Sequence, residues 1–220
     1  MRLFVAALSG PDPLEHLDRA LAAVLDMPGA PRWTAPELRH LTLAFLGEVA
    51  EPQLAALMPG LAIVAAAHGH LALRLSGVGT FPTRGAPRVF WAGLAGAGSA
   101  APDPDSDPDP DGDPDPDPDR DRDRDGSPDP VAELVELARS VARAARGVGI
   151  AIERRPYRPH LTLGRWRPGD KTDLSVVTAL TEYESPPFEV SEIVLMRSHL
   201  GPRPRYDQLA SWPLTALAPR

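Results

Sequence analysis

The sequence predicts an α+β protein built on antiparallel sheets, and three observations carry that expectation. Strand and helix patterns are mixed in both halves without the regular alternation that a doubly wound parallel sheet would need. The tetrapeptide His-Leu-Thr-Leu occurs twice, at residues 40–43 and 160–163, once in each half. Between the copies lies a segment, residues 102–130, with 13 Asp and 9 Pro and no apolar face to bury, so it reads as a disordered insert within a single unit spanning 1–220.

Residues 2–8 form an apolar strand pattern, too short for a signal-peptide core or a membrane span. A helix follows, with Asp12 as N-cap, Pro13 at the first helical position and Leu14, Leu17, Leu21, Val24 and Leu25 as its apolar stripe. Residues 40–46 read as a strand closed by Gly47, and residues 52–67 as a helix with a break or kink at Pro59-Gly60. Leu71, Leu73 and Leu75 alternate as in a half-buried strand, and residues 88–94 make another. Asp129 and Pro130 repeat the cap-then-proline start, for a helix reaching about Arg146. A strand over 160–166, a helix over 173–183, and strands over 188–198 and 206–212 complete the expected order.

The net charge of -7 belongs to one segment. Residues 102–130 carry a net -10, and the remaining 191 residues carry +3. Lys171 is the only lysine, so the basic side chains of the body are arginines, whose planar donor fork suits phosphate. Within the acidic segment, Asp107, Asp109, Asp111 and Gly112 match the opening of a calcium loop, but position twelve is Pro118 where a bidentate Glu belongs. That segment reads as a solvated linker. The chain has no cysteine, which excludes disulfide scaffolds, thiolate metal sites and cysteine nucleophiles and points to a cytoplasmic setting. It also lacks a Gly-x-Ser-x-Gly elbow, a P-loop and a dinucleotide glycine pattern.

A second copy of the tetrapeptide among five other histidines arises by chance at roughly 1 in 300, so the repeat calls for an explanation. Side chains alternate along a strand. Leu41, Leu43, Leu161 and Leu163 therefore anchor in the core, while His40, Thr42, His160 and Thr162 point the other way. A single such pair is ordinarily a solvated strand face; two copies converging on one cleft are a device. Two imidazoles suffice for acid-base transfer, one taking a proton from water and the other giving one to a leaving oxygen. The threonine hydroxyls then donate to oxygens of the group under attack. No third ligand at metal spacing accompanies either motif, and a phosphodiester fits the arrangement.

These residues resemble a known family. Residues 39–48 (RHLTLAFLGE) and 157–165 (YRPHLTLGR) are similar to the paired motifs of the two-histidine phosphoesterases, nearest to the bacterial and archaeal RNA 2',3'-cyclic phosphodiesterases, historically called 2'-5' RNA ligases. Gly79, Thr80, Phe81 and Pro82, residues 87–91, and the tail around Gly201 and Tyr206 extend the likeness. The resemblance implies a bilobal, pseudo-twofold α+β fold with antiparallel sheets lining a central cleft and helices outside. It implies a metal-independent hydrolysis of a terminal 2',3'-cyclic phosphate to a 2'-phosphate, with no cofactor. His40 would protonate the departing 3'-oxygen, His160 would activate water, and Thr42 and Thr162 would hold the phosphate.

Arg165 is a further candidate for the phosphate, ahead of Arg88 and Arg158. Five positions beyond His160, it reaches the same face only if the strand is bulged near Gly164. Trp33, Phe45, Phe81 and Trp91 are candidates either for core packing or for stacking a base. His16, His68, His70 and His199 have no nameable partner. The expected partner is RNA or an oligonucleotide with a 2',3'-cyclic phosphate end, the protein acting as a monomer without membrane or metal. Another cyclic nucleotide, an ADP-ribose cyclic phosphate, 2'-5' RNA ligation, and a non-catalytic RNA- or nucleotide-binding module are the alternatives.

Overall fold

The computed structural model describes residues 1–83, 85–98, 129–153, 155–201 and 204–215. The calcium-loop-like run at 107–112 and the rest of the Asp/Pro segment up to Pro128 lie outside the described residues.

Four strands build the first half of the sheet: β1 (Arg2–Ala7), β3 (Leu41–Glu48), β8 (Glu192–His199) and β9 (Arg205–Pro213). The second half holds β2 (Arg32–Trp33), β4 (Leu71–Phe81), β5 (Val89–Gly96), β6 (Leu161–Arg165) and β7 (Phe188–Val190). Every pairing is antiparallel, and the order is β7-β4-β5-β6-β3-β1-β8-β9 with β2 added to β6. The halves meet at one residue pair, Leu41 opposite Leu161. The two repeated tetrapeptides are thus the seam of the molecule.

Helices cover the side of the sheet away from the motif histidines. They are α1 (Pro11–Leu21), α2 (Glu51–Ala66) and α3 (Pro130–Gly147), with a single turn, α4 (Ser175–Thr178). Leu17 and Leu21 of α1, Leu57 and Leu61 of α2, and Leu134, Leu137 and Val141 of α3 are buried in one core with all four motif leucines. Each such leucine contributes about 1.5–3 kcal/mol by burial. The apolar stripe expected of the first helix holds at Leu17 and Leu21; the helix ends there, and in the turns that follow Val24 is buried and Leu25 exposed. No helix among the described residues is long and apolar enough to cross a membrane.

The cap-then-proline device behaves differently at its two sites. Asp129 caps α3 as expected, its carboxylate accepting from the Val131 N–H at 3.0 Å. At α1 the helix starts two residues earlier than expected, at Pro11. Gly10, with φ of 71°, takes the cap position, and Asp12 lies in the first turn. Pro59 sits inside an unbroken α2. The expected helix over 173–183 shrinks to Ser175–Thr178 followed by turns, and the strand over 188–198 is two strands divided at Ser191. The two-residue β2 carries too short a pattern for any periodicity to register.

Candidate active site

His40 and His160 each stand one residue ahead of their strands, β3 and β6. Continuing the antiparallel register from Leu41 opposite Leu161 sets His40 across from Thr162 and Thr42 across from His160. Directly opposed residues share a face. All four polar side chains of the repeat therefore lie together, partly buried, on the side opposite the leucines.

Each imidazole is held in the same way. The His40 Nδ1 is 2.8 Å from the Leu38 carbonyl, and the His160 Nδ1 is 2.7 Å from the Arg158 carbonyl. A carbonyl only accepts, so each Nδ1 carries a hydrogen and each Nε2 is left to take or give a proton. A short 3-10 turn (Pro36–Leu38) delivers the chain to His40. It is anchored by Arg39, whose guanidinium is buried against Asp18 of α1 at 2.6 Å and donates to the Thr34 carbonyl at 3.1 Å.

A bulge follows each motif at the same place. Val5 and Ala6 of β1 face Ala44 and Thr42, so Leu43 is the extra residue of β3. Phe90 and Trp91 of β5 face Gly164 and Thr162, so Leu163 is the extra residue of β6. Each bulge reverses the alternation beyond it. Phe45 and Arg165, three residues past each threonine, are thereby turned onto the histidine face. The bulge that Arg165 required is present, one residue earlier than Gly164. Phe45 is 63% exposed there, and Arg165 is exposed as well.

Aromatic rings fix the histidines laterally. The Phe4 ring stacks on His40 at 4.7 Å, and the Tyr206 ring meets it edge-on at 5.2 Å. Phe81 and Trp91 meet His160 edge-on at 5.1 and 6.4 Å. The Trp91 indole packs against Gly79, where a Cβ would stand 2.3 Å from the ring. Of the four aromatics singled out by sequence, Phe81 and Trp91 thus wall the site and Phe45 is presented on its face, while Trp33 packs on Phe90 in the core. Phe4 sits in an unbroken apolar run, which is why sequence reasoning passed over it.

Burial is the leading cause that lowers the pKa of both imidazoles, partly opposed by the carbonyl each Nδ1 touches. Arg165 lowers both rings further, which places its charge close to the pair. A charged His160 also lowers His40, so the two rings do not readily hold a proton each in the empty site. The other four histidines have partners after all: His16 with the Tyr183 hydroxyl, His68 with Ser140, His70 with Glu189 and His199 with Asp207. Among the described residues, no three His, Asp or Glu side chains cluster as metal ligands would.

Residues 9–91 and 126–206 match the family model described as LigT like Phosphoesterase, a span that takes in both tetrapeptides. The chain belongs to the LigT-like phosphoesterase family. Among curated relatives of this chain, a Geobacillus stearothermophilus protein named RNA 2',3'-cyclic phosphodiesterase is 32% identical over 83% of the chain. The chain spans about half of that relative's length, 47%. An Archaeoglobus fulgidus protein of the same name is 29% identical and is covered over 98% of its length. The crystal structure of E. coli LigT in apo form superposes with a TM-score of 0.65 at 26% identity, covering 98% of both chains. A structure of the same protein complexed with 3'-AMP aligns equally well.

Proposed function

We propose that this phosphoesterase hydrolyses RNA-terminal 2',3'-cyclic phosphodiesters to 2'-phosphomonoesters by metal-independent acid-base catalysis between two histidines. The observation that carries the reading is the convergence of His40, Thr42, His160 and Thr162 on one face at a single seam, with Arg165 turned onto the same face. The names of the relatives support the substrate class.

In this mechanism the neutral His160 Nε2 takes a proton from water as the water oxygen attacks phosphorus. The protonated His40 Nε2 gives a proton to the departing 3'-oxygen, so one proton enters the pair and one leaves it. Thr42, Thr162 and Arg165 donate to the non-bridging oxygens, where negative charge accumulates in the transition state. Bound phosphate favours protonated imidazole on both rings, which offsets the lowering that burial causes in the empty cleft. The exposed Phe45 ring offers a stacking surface for a base. The unit acts as one cytoplasmic monomer over residues 1–220, with 102–130 as an insert.

The test is to incubate the protein with an oligonucleotide ending in 2',3'-cyclic phosphate, with and without EDTA. Turnover to a 2'-phosphate that survives EDTA and is lost in His40→Ala and His160→Ala is the expected result. Binding without turnover would instead identify a nucleotide-binding module, and loss with EDTA would remove the metal-independent step.

A further inference from the structure

Arg32 and Arg165 stand directly across from each other on β2 and β6. Opposed residues on antiparallel strands share a face, with Cβ atoms about 4.5–5.5 Å apart, and like charges in that position destabilise the pair. Among the described residues, neither guanidinium has a carboxylate within ion-pair distance. Both side chains are exposed on the histidine face, whereas Trp33, beside Arg32, turns into the core and donates its indole N–H to the Leu25 carbonyl. The close approach of β2 depends on Gly164. A Cβ there would stand 2.9 Å from the Pro31 ring and 3.0 Å from the Arg32 carbonyl.

The fold therefore holds two unpaired cations at sheet spacing, an arrangement that an anion between or above them would offset. Arg165 closes β6 at the end remote from His160, and Arg32 stands one strand over from it, so Arg32 lies one step outward from the reacting centre. A single-stranded nucleic acid presents its phosphates in succession. With the terminal cyclic phosphate against the histidines and Arg165, the next anion outward is the backbone phosphate. An arginine fork suits it.

We propose that Arg32 binds the backbone phosphate on the 5' side of the terminal nucleotide, so that the protein selects RNA ends over free nucleoside 2',3'-cyclic phosphates. This rests on the cyclic-phosphodiesterase reading above. Arg32 is a substrate-positioning residue here, remote from the reacting atoms.

Steady-state kinetics of wild type, Arg32→Gln and Arg32→Lys on a tetranucleotide ending in 2',3'-cyclic phosphate, on uridine 2',3'-cyclic phosphate and on ADP-ribose cyclic phosphate test the proposal. Arg32→Gln raises KM for the tetranucleotide about tenfold, the loss expected for one hydrogen-bonded charge pair, and leaves kcat and the mononucleotide unchanged. Arg32→Lys recovers most of the loss. The slope of log kcat/KM against log salt becomes shallower by about 0.7 in Arg32→Gln, the value for one single-strand phosphate contact. Equal effects on the tetranucleotide and the mononucleotide, or none on either, would overturn the role of Arg32 while leaving the hydrolase reading intact. A penalty confined to ADP-ribose cyclic phosphate, whose second phosphate lies in a pyrophosphate, would overturn the assignment to RNA. Failure of wild type to open either cyclic phosphate removes the hydrolase reading and this one with it.

Discussion

The His40 half and the His160 half of the cleft share a tetrapeptide, a carbonyl holding each Nδ1, and a bulge at the second leucine, yet they differ three residues past each threonine. The first half presents the apolar ring of Phe45, and the second presents the cation of Arg165. Their walls differ too. His40 is packed by a stacked Phe4 and an edge-on Tyr206, whereas His160 meets only ring edges, from Phe81 and Trp91. The shared parts supply what acid-base chemistry needs in duplicate. The unshared parts break the symmetry, presenting a cation in one half of the site and an apolar ring in the other.

The strongest way to break this comparison is to remove each histidine. His40→Ala and His160→Ala each lower kcat by about a thousandfold, within the range for a positioned acid or base. The two then separate on a diester with a nitrophenolate leaving group, which needs no protonation. His40→Ala regains activity on that substrate and His160→Ala does not; rescue of His160→Ala instead would exchange the two roles.

The next effect tests the residues beyond the bulges. Arg165→Ala lowers kcat/KM about a hundredfold, as loss of a transition-state donor does. Phe45→Ala costs up to about tenfold and acts through KM, as loss of one stacking platform does. Equal losses in kcat would mean that the asymmetry of the two halves is without chemical consequence. Similar in size, Thr42→Val and Thr162→Val each cost about tenfold, but in kcat, through one lost hydrogen bond to a charged oxygen.

The subtlest readout is pH. A rate needing one neutral and one protonated imidazole is bell-shaped, and kcat/KM reports the free protein. Both rings are lowered from 6.5, so the maximum of kcat/KM lies on the acid side of that value. Removing the Arg165 cation favours protonation of both rings, so Arg165→Ala moves both limbs to higher pH while the residual rate is followed. A profile flat across the imidazole range would contradict the mechanism.

Much of the site was legible because strand alternation is local. His, Thr and the two leucines of each tetrapeptide needed only period-two geometry to be divided between cleft and core, and all four leucines are buried as that geometry requires. Arg165 was legible only conditionally, since the same alternation put it on the wrong face. Arg32 was not legible at all. A two-residue strand has no periodicity, and nothing near Arg32 in sequence announces Arg165 as its neighbour.

What the sequence determined by itself is the chemistry: two imidazoles and two hydroxyls on strands with buried leucines, in an α+β chain whose acidity belongs to one segment. The tertiary structure decided the geometry of their meeting. A bulge is a property of a strand and its partner together, and here the partners are β1 and β5, distant in sequence from the strands they bend. Through those pairings Phe45 and Arg165 turn to the cleft, while the pairing of β6 with β3 and β2 brings Leu41 to Leu161 and Arg32 beside Arg165. Local spacing prescribes which faces a strand has, but only long-range pairing determines where the alternation is broken and which strands lie side by side.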